Sequence, residues 1–291
     1  MSKKNEYISK KGRGIAWLFL LPALILFALF QWYPMLKAIW VSFFNYSYVG
    51  KSVFIGFDNY VRAFKDPLFW IAWKNTFYAG FLAIVIGFVP PIFVAIMLNE
   101  ARKFKSFFKV AFYIPVITSM VIISIMWKWI YNPDYGLLNW FLSLFGFEKL
   151  GWLTDPKLSM PSIILMASWK ALGRGVIIYL AALQNVPEQL YEAAEIDGAG
   201  FWHKVWHITI PTIMPIMSIM LILKVIGSLQ IFASVYIMTE GGPMYATEVV
   251  AHYIYNTAFR DMDMGYATAM AMLMFLVLMF VTYIQLKLKK S

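Results

Sequence analysis

The sequence predicts an all-α polytopic membrane protein that crosses a lipid bilayer six times. Apolar residues make up 61% of the 291 residues and charged residues only 14%, whereas soluble proteins contain roughly 45–50% and about 25%. Six stretches also reach the length of about 20 helical residues that the hydrocarbon core requires, because backbone polar groups there must bond to one another. These stretches leave no contiguous segment for a soluble catalytic domain.

The six spans follow one another along the chain with short connections. Four of them have an uncharged core, whereas the fourth contains Lys170 and Arg174 and the fifth contains Lys224. The first is too long for the apolar core of a cleavable signal peptide and lacks a small-residue cleavage site. We predict a tail at residues 1–14, a membrane domain at 15–290, spans at about 15–40, 72–98, 108–130, 160–184, 208–238 and 264–287, and a loop at 185–207.

The basic residues are distributed unevenly between the two sides of the membrane. Six spans place both termini and the second and fourth loops on one side, which contains thirteen Lys and Arg residues against six on the other. The positive-inside rule therefore places both termini in the cytoplasm. Because topology accounts for this charge, nucleic acid is not a predicted partner. The thirteen are Lys3, Lys4, Lys10, Lys11, Arg13, Arg102, Lys103, Lys105, Lys109, Lys204, Lys287, Lys289 and Lys290.

The sequence offers little support for a catalytic or metal site. It contains no cysteine, which excludes disulfides and cysteine metal sites. The single partial match to a phosphate-binding loop, residues 50–52, lacks the glycine required five residues earlier, so no ATP hydrolysis is expected. His203 and His207 are four residues apart but have no third ligand, so helix packing is favoured over a metal site. His252 is isolated, and all three histidines are predicted to lie in loops.

The loop between the fourth and fifth spans encodes a short helix. Asn185 or the residue after it can cap this helix, and Pro187 suits the first turn because its missing N–H would have no partner there. Gly198 suits the left-handed position that ends a helix. The pattern is typical of a docking element with a small-residue face, but an ordinary re-entry loop can have it too. The residues that recur at helical spacing are Leu190, Ala193, Ala194 and Asp197.

The same loop strongly resembles the EAA loop of permease subunits in binding-protein-dependent ABC importers. Other segments, including 113–115 and 240–243, resemble the carbohydrate branch that contains the larger maltose permease subunit, so the resemblance covers nearly the whole chain. Val205 departs from the family, which usually has phenylalanine there. The matching loop residues are Glu192, Ala193, Ala194, Asp197, Gly198, Ala199, Ile208, Pro211 and Pro215.

This resemblance implies the type I ABC importer permease fold and a multi-pass protein of a bacterial-type inner membrane, surrounded by lipid. It also implies a carbohydrate substrate, a second related permease in a heterodimer, two ATPase subunits and an extracytoplasmic solute-binding protein. ATP and Mg would bind to the ATPases, leaving this chain without a cofactor. External segments 49–66 and 240–263 are candidate contacts for the binding protein. The residues implied to couple to an ATPase are Glu192, Ala193, Ala194, Asp197, Gly198 and Ala199.

Polar residues in the fourth and fifth spans indicate a route through the membrane. Charges at membrane depth usually face water or an internal partner. In the maltose-type permeases, the resembling parts of these spans contribute sugar contacts, and aromatic side chains could stack on pyranose rings. The predicted pathway residues are Lys170, Arg174, Lys224, Gly227, Ser228, Gln230, Ile231, Phe232 and Tyr236.

Alternatives remain for the three cations. Lys170 could bond to backbone carbonyls rather than to substrate, and Lys224 could contact the second permease. The guanidinium of Arg174 suits a carboxylate bidentately, so an acidic sugar such as a uronate oligosaccharide is an alternative to a neutral one.

Two other function classes fit less well. An ion-coupled secondary sugar transporter would need acidic residues at the membrane midplane, yet no Asp or Glu interrupts a predicted span. An intramembrane enzyme would need a nucleophile with a base, or a metal cluster, at that depth. We therefore expect a permease subunit of an ATP-driven carbohydrate importer.

Overall fold

The computed structural model describes residues 10–46, 51–101 and 103–290, without the side chains of residues 10–16 and 288–290. Within this part of the chain, nearly all regular structure is helical, which confirms the all-α fold class. A two-residue antiparallel strand pair is the exception, with β1 (Phe44–Asn45) beside β2 (Val53–Phe54). Lys3, Lys4, Arg102 and parts of the predicted tail and of segment 49–66 lie outside the described residues.

Fifteen α-helices follow one another in the described residues, and two of them are entered through π-helical turns, at Ala28–Trp32 and Val205–Thr209. Five helical segments are long and apolar enough to cross a membrane, and the pair α6–α7 is a sixth candidate. The helices are α1 (Lys10–Phe27), α2 (Tyr33–Val41), α3 (Asp58–Lys65), α4 (Pro67–Gly87), α5 (Val89–Glu100), α6 (Lys105–Ile117), α7 (Met120–Ile130), α8 (Leu137–Leu144), α9 (Ser159–Leu183), α10 (Glu188–Ile196), α11 (Phe201–Lys204), α12 (Ile210–Leu229), α13 (Ala233–Met238), α14 (Val250–Phe259) and α15 (Met264–Lys290).

The chain divides into two compact units, and the first contains residues 1–65 and 257–272. Asn59 is buried and donates hydrogen bonds to the backbone oxygens of Ser42 and Phe44, both at 3.0 Å. Arg62 forms an ion pair with Asp263 at 2.5 Å. These contacts join α3 to the end of α2 and to the residue that precedes α15.

The second unit contains residues 66–256 and 273–291, and α9 lies at its centre. This helix packs against α4, α5 and α6, and α4 also packs against α12. Two glycines of α9 allow its backbone to approach the neighbouring helices closely, since glycine has no side chain. Gly173 lies against the backbone of Phe112 in α6, and a Cβ added to Gly175 would come within 2.7 Å of the Pro91 side chain in α5.

The third predicted span, residues 108–130, does not form one continuous helix. α6 ends at Ile117 and α7 begins at Met120, and the two axes differ in direction by 100°. Pro115 removes a backbone donor from the last turn of α6. Ser119 then caps α7, because its Oγ accepts a hydrogen bond from the backbone N–H of Val121 at 3.3 Å. Apolar composition alone does not reveal such a cap between two helices.

Other helix boundaries also differ from the predicted ones. The fifth predicted span, residues 208–238, is interrupted after Leu229, and helical structure resumes only at Ala233. At the other end of the chain, α1 begins at Lys10, inside the predicted tail.

All three histidines lie outside the predicted spans, as expected, but in helical segments rather than irregular loops. His203 lies in α11, His207 lies in the second π-helical turn and His252 lies in α14. Each occupies a helical segment outside the strongly apolar windows from which the spans were predicted.

Candidate functional site

The helix predicted within loop 185–207 is present as α10, and it begins differently from the prediction. Pro187 precedes the helix with an extended backbone (ψ 127°) rather than occupying its first turn. Asn185 does not cap α10, because its side-chain amide donates a hydrogen bond to the carbonyl oxygen of Ala181 at 2.9 Å. Its side chain therefore completes the end of α9.

The end of α10 agrees with the prediction. Gly198 adopts the left-handed conformation, with φ +76°. Its N–H donates a hydrogen bond to the carbonyl oxygen of Glu195 at 3.0 Å. The N–H of Ala199 donates one to the carbonyl oxygen of Ala194 at 2.8 Å. This pair of bonds is a Schellman motif, which satisfies carbonyl groups that a helix end leaves unpaired.

The outward face of α10 is open to solvent and combines acidic, small and apolar side chains. Ile196 is 87% exposed, so it presents nearly its whole side chain at the tip of the helix. Leu190 is also exposed. Together these two side chains add apolar area to the exposed surface of α10. Of the predicted coupling residues, those that are exposed are Glu192, Ala193, Asp197 and Gly198, and those that are partly buried are Ala194 and Ala199.

Two side-chain contacts join α10 to the segment that leads into α12. The hydroxyl of Tyr191 lies 2.9 Å from Oγ1 of Thr209, the last residue of the second π-helical turn. Lys204 donates a hydrogen bond to Glu195 at 2.7 Å. This hydrogen bond, together with the positive charge of Lys204, lowers the pKa of Glu195. Both contacts hold the short helix against the beginning of α12.

A cavity of about 550 Å³ lies among α4, α5, α9 and α12 of the second unit. Its volume is typical of small-molecule sites, and most of its wall is apolar. The described residues that line it include two cations, Arg174 and Lys224, and no Asp or Glu. Most of the predicted pathway residues share this wall: Arg174, Lys224, Gly227, Ser228, Gln230, Ile231 and Phe232.

The two cations of α9 have different surroundings. The Lys170 amine donates a hydrogen bond to the backbone oxygen of Val116 at 3.1 Å. This contact confirms the alternative in which Lys170 bonds to a carbonyl group, and the residue is not part of the cavity wall. Arg174, one turn further along, faces the cavity, and no described residue accepts a hydrogen bond from its guanidinium.

The amine of Lys224 in α12 lies beside Gly87, a residue of α4 that has no side chain. A Cβ built on Gly87 would overlap the Lys224 amine and would lie 2.6 Å from Oγ of Ser168. Gly87 therefore creates the space that the amine occupies. The hydroxyl of Ser168 is buried, and so is that of Ser234; both residues line the cavity, and neither hydroxyl has a hydrogen-bond partner among the described residues.

Three aromatic rings lie close together near the non-helical connection between α12 and α13. The rings of Phe232 and Tyr236 stack with their centres 5.5 Å apart, and that of Tyr255 lies 5.1 Å from the first and 5.2 Å from the second. Phe232 also lines the cavity, whereas Tyr236 lies outside its wall. The three rings together are called the aromatic cluster below.

A buried acid–imidazole pair supports the aromatic cluster. His252 is 1% exposed, and its Nδ1 lies 2.8 Å from the carboxylate of Glu248, which is also buried. The imidazole ring is centred 6.3 Å from Phe232 and 6.0 Å from Tyr236. His252 is therefore a packed core residue with a hydrogen-bond partner, and not isolated as the sequence suggests.

His203 and His207 stack on each other with ring centres 4.1 Å apart. They share a helix face, as their spacing predicts. Both side chains are exposed, however, so they do not pack into a helix interface. In the described part of the chain, no group of three or more potential ligands is placed to hold a metal ion.

Several residues of the site escape analysis of the sequence. Gly87, Ser168 and Ser234 are small residues in apolar segments, and nothing in the pattern separates them from ordinary helix contacts. Tyr191 and Thr209 are eighteen residues apart, so only the folded loop reveals their contact. The roles of such residues are recognised from their contacts in the folded structure and not from a sequence pattern.

The sequence matches a known protein family over residues 91–289. The family model is described as "Binding-protein-dependent transport system inner membrane component". The match runs from within α5 into α15, so it includes α10 and the cavity helices α9 and α12 but not α4.

Individual proteins are similar over nearly the full chain. The lactose transport system permease protein LacF of Rhizobium radiobacter is 35% identical, with 92% of each chain covered. The trehalose/maltose transport system permease protein MalF of Thermococcus litoralis is 30% identical, with 99% of this chain and 96% of that protein covered. Among solved structures, the fold is similar to a chain of a bacterial alginate ABC transporter in complex with an alginate pentasaccharide-bound periplasmic protein. That chain is 28% identical, with a TM-score of 0.85 and coverage of 94% of this chain and 93% of that one.

Proposed function

The chain belongs to the family of inner membrane components of binding-protein-dependent transport systems, and on this premise we propose that it forms half of the translocation pathway of an ATP-driven carbohydrate importer. The observation that carries the proposal is the connection of an exposed helix, α10, to a cavity-lining helix, α12. The relatives named above transport lactose, trehalose/maltose and alginate, which supports a carbohydrate substrate.

In this proposal α10 is the coupling helix that seats in a groove of an ATPase subunit. Its exposed Ile196 and Leu190 provide apolar contact area, and Glu192 can form a charge-assisted hydrogen bond with a cation of the ATPase. Gly198 fixes the direction in which the chain leaves the helix. The docking surface comprises these residues together with Ala193, Ala194, Asp197 and Ala199.

Movement of the ATPases would then reach the pathway through α12. Tyr191 and Lys204 hold α10 to the beginning of that helix, whereas Lys224 and Ser228 lie further along it, in the cavity wall. A rigid helix moved at one end carries its other end with it. Such coupling requires that ATPase binding and substrate binding bias the same movable element, and α12 meets this description.

The cavity forms this chain's part of the substrate pathway. The unpaired hydroxyls of Ser168 and Ser234 are suited to a hydroxyl-rich solute, since a sugar can supply the hydrogen bonds that they lack. Phe232 and Tyr236 offer ring faces on which a pyranose can stack. The pathway also includes Gly227, Ser228, Gln230 and Ile231, whereas Lys170 positions α9 through its backbone contact.

The proposed assembly contains several other chains. A second, related permease completes the pathway, two ATPase subunits bind ATP and Mg, and an external solute-binding protein delivers the sugar. The basic loops and both termini face the cytoplasm, so α10 projects toward the ATPases. Segments 49–66 and 240–263 then face the solute-binding protein. This chain itself holds no cofactor.

One experiment tests the central claim. The chain is co-expressed with its partner permease and ATPases, and the complex is reconstituted in proteoliposomes with the binding protein. We expect uptake of labelled oligosaccharide that requires ATP and persists when ion gradients are collapsed by ionophores. Uptake that follows an imposed proton or sodium gradient without ATP would instead establish the secondary transporter.

A variant of α10 tests the docking surface separately. Ile196→Asp places a charge where an apolar contact is proposed, and we expect the ATPases to be lost during purification while the two permeases remain together. Gln189→Ser, another exposed position of the same helix, serves as the control and should retain the ATPases. Retention of the ATPases by both variants would show that Ile196 does not contribute to the interface.

A further inference from the structure

The charges of the cavity have one sign. Arg174 of α9 and Lys224 of α12 line it, and no acidic side chain from the described residues does. Like charges that line one cavity raise each other's free energy, and a bound anion lowers it. The cavity is therefore electrostatically matched to an anion.

The three cations of these helices differ in their protein contacts. Lys170 donates to the carbonyl oxygen of Val116 and is used structurally. No described residue accepts a hydrogen bond from Arg174 or Lys224. A guanidinium and an ammonium group with free donors are the usual ligands of a carboxylate.

The surroundings of Lys224 show that its position is built into the fold. Gly87 leaves room for the amine against α4, and Oγ of Ser168 lies beside the same spot. Ser168 is only 6% exposed, yet its hydroxyl has no hydrogen-bond partner in the described part of the chain. Buried hydroxyls without a partner are rare in proteins, so this one points to a ligand atom.

We propose that this cavity recognises the carboxylate of an acidic sugar, with Arg174, Lys224 and Ser168 as its specificity-determining residues. The inference rests on the proposed carbohydrate import and specifies the class of sugar. Arg174 and Lys224 supply the positive charge and Ser168 donates a further hydrogen bond. The apolar remainder of the wall, which includes the ring of Phe232, receives the sugar ring.

The experiment compares two sugars that differ only in charge. Trigalacturonate and its carboxyl-reduced neutral counterpart have the same linkage and length. ATP-dependent uptake of each is measured with the assembled importer in vesicles of phosphatidylcholine, which has no net charge to compete for the cavity. Because the same binding protein serves every variant, its own preference cancels when each variant is compared with wild type.

We expect Arg174→Gln and Lys224→Gln each to reduce trigalacturonate uptake about tenfold, which is the effect of losing one charge-assisted hydrogen bond, and to change neutral uptake by less than about twofold. Ser168→Ala is small enough to fit the packed helix and should reduce trigalacturonate uptake about threefold. Lys170→Gln is the matched control, since its amine donates to a backbone oxygen and lies outside the cavity wall, and any loss should be equal for both sugars.

The outcomes separate this inference from the proposed function. Equal losses of both sugars in the Arg174 and Lys224 variants, or wild-type uptake of the neutral sugar alone, would overturn anion recognition and leave carbohydrate import intact. Failure of the wild-type complex to transport either sugar in the presence of ATP would overturn the acidic-sugar inference, whereas only the absence of ATP-dependent uptake of any oligosaccharide would contradict the proposed function. Loss of the second permease specifically from Lys224→Gln would assign that lysine to the subunit interface and refute its role in recognition.

Discussion

The hydroxyl of Tyr191 lies 2.9 Å from Oγ1 of Thr209, and this contact connects α10 to the turn from which α12 begins. Thr209 Oγ1 also donates to the backbone oxygen of Lys204 at 3.3 Å, at the end of α11. π-helical turns often occur at functional sites. In the proposed importer, these hydrogen bonds make α10 and the first turn of α12 move together, so force applied at the ATPase surface reaches the cavity.

Removing the Tyr191 hydroxyl should weaken this transmission. Tyr191→Phe keeps the ring and deletes a hydrogen bond worth about 1 kcal/mol. We expect ATP hydrolysis by the complex to continue while the number of sugar molecules imported per ATP falls about threefold to fivefold. The measurement is uptake and hydrolysis in the same proteoliposomes.

Thr209→Val should have the same effect as Tyr191→Phe, and the double variant should lose no more coupling than either single variant. Additive losses would show that the two side chains act independently.

The end of α10 should be equally sensitive. Gly198 has φ +76°, a conformation that costs other residues roughly 1–2 kcal/mol. Gly198→Asp should therefore leave the protein inserted and assembled but separate ATP hydrolysis from uptake, because the chain leaves the coupling helix in an altered direction. Uptake at the wild-type rate would refute this role.

Gly200→Asp is the matched control for that substitution. Gly200 lies two residues further on with φ −69°, and a Cβ built there meets no atom within 4 Å. The same charge is thus introduced at nearly the same place without backbone strain. Uncoupling by both variants would indicate that the added charge, and not the helix end, is responsible.

The sequence predicts the helices and the end of α10 because both depend on local patterns. Apolar length defines a membrane helix, and the glycine of a Schellman motif is required by the backbone conformation of one residue. Gly198 could therefore be assigned before its φ angle was known. The predicted face of small residues is likewise exposed, at Ala193 and Asp197.

The remaining features are not evident from apolar composition. The break between Ile117 and Met120 interrupts a continuous apolar run, so composition alone suggests one helix. His252 is buried because Glu248, one turn earlier, satisfies its ring nitrogen and aromatic rings cover it. The spacing of Glu248 and His252 permits this pair on one helix face, but its burial beside Phe232 and Tyr236 is known only from the fold.

The position of the Lys224 amine provides a steric test of anion recognition. Gly87→Ala keeps both cations but places a methyl group where the amine lies. We expect trigalacturonate uptake to fall about fivefold to tenfold because the charge is displaced, with a smaller change for the neutral sugar. Gly80→Ala in the same helix is the control, since its Cβ would lie 3.4 Å from Ser228 Oγ and 3.6 Å from Leu229, ordinary contact distances. An unchanged preference in Gly87→Ala would mean that the amine position does not matter.

The buried pair behind the aromatic cluster should affect stability and uptake without altering selectivity. His252→Ala leaves the Glu248 carboxylate, 4% exposed, without its 2.8 Å partner, and an unsatisfied buried group of this kind costs about 1–3 kcal/mol or more. We expect a lower midpoint of thermal unfolding, and equal losses of neutral and acidic sugar uptake because Phe232 and Tyr236 lose their support. Asn256→Ala is the control, since its amide lies 3.4–3.5 Å from the same ring and contributes little. A selective loss of one sugar in His252→Ala would instead place the imidazole in the recognition of charge.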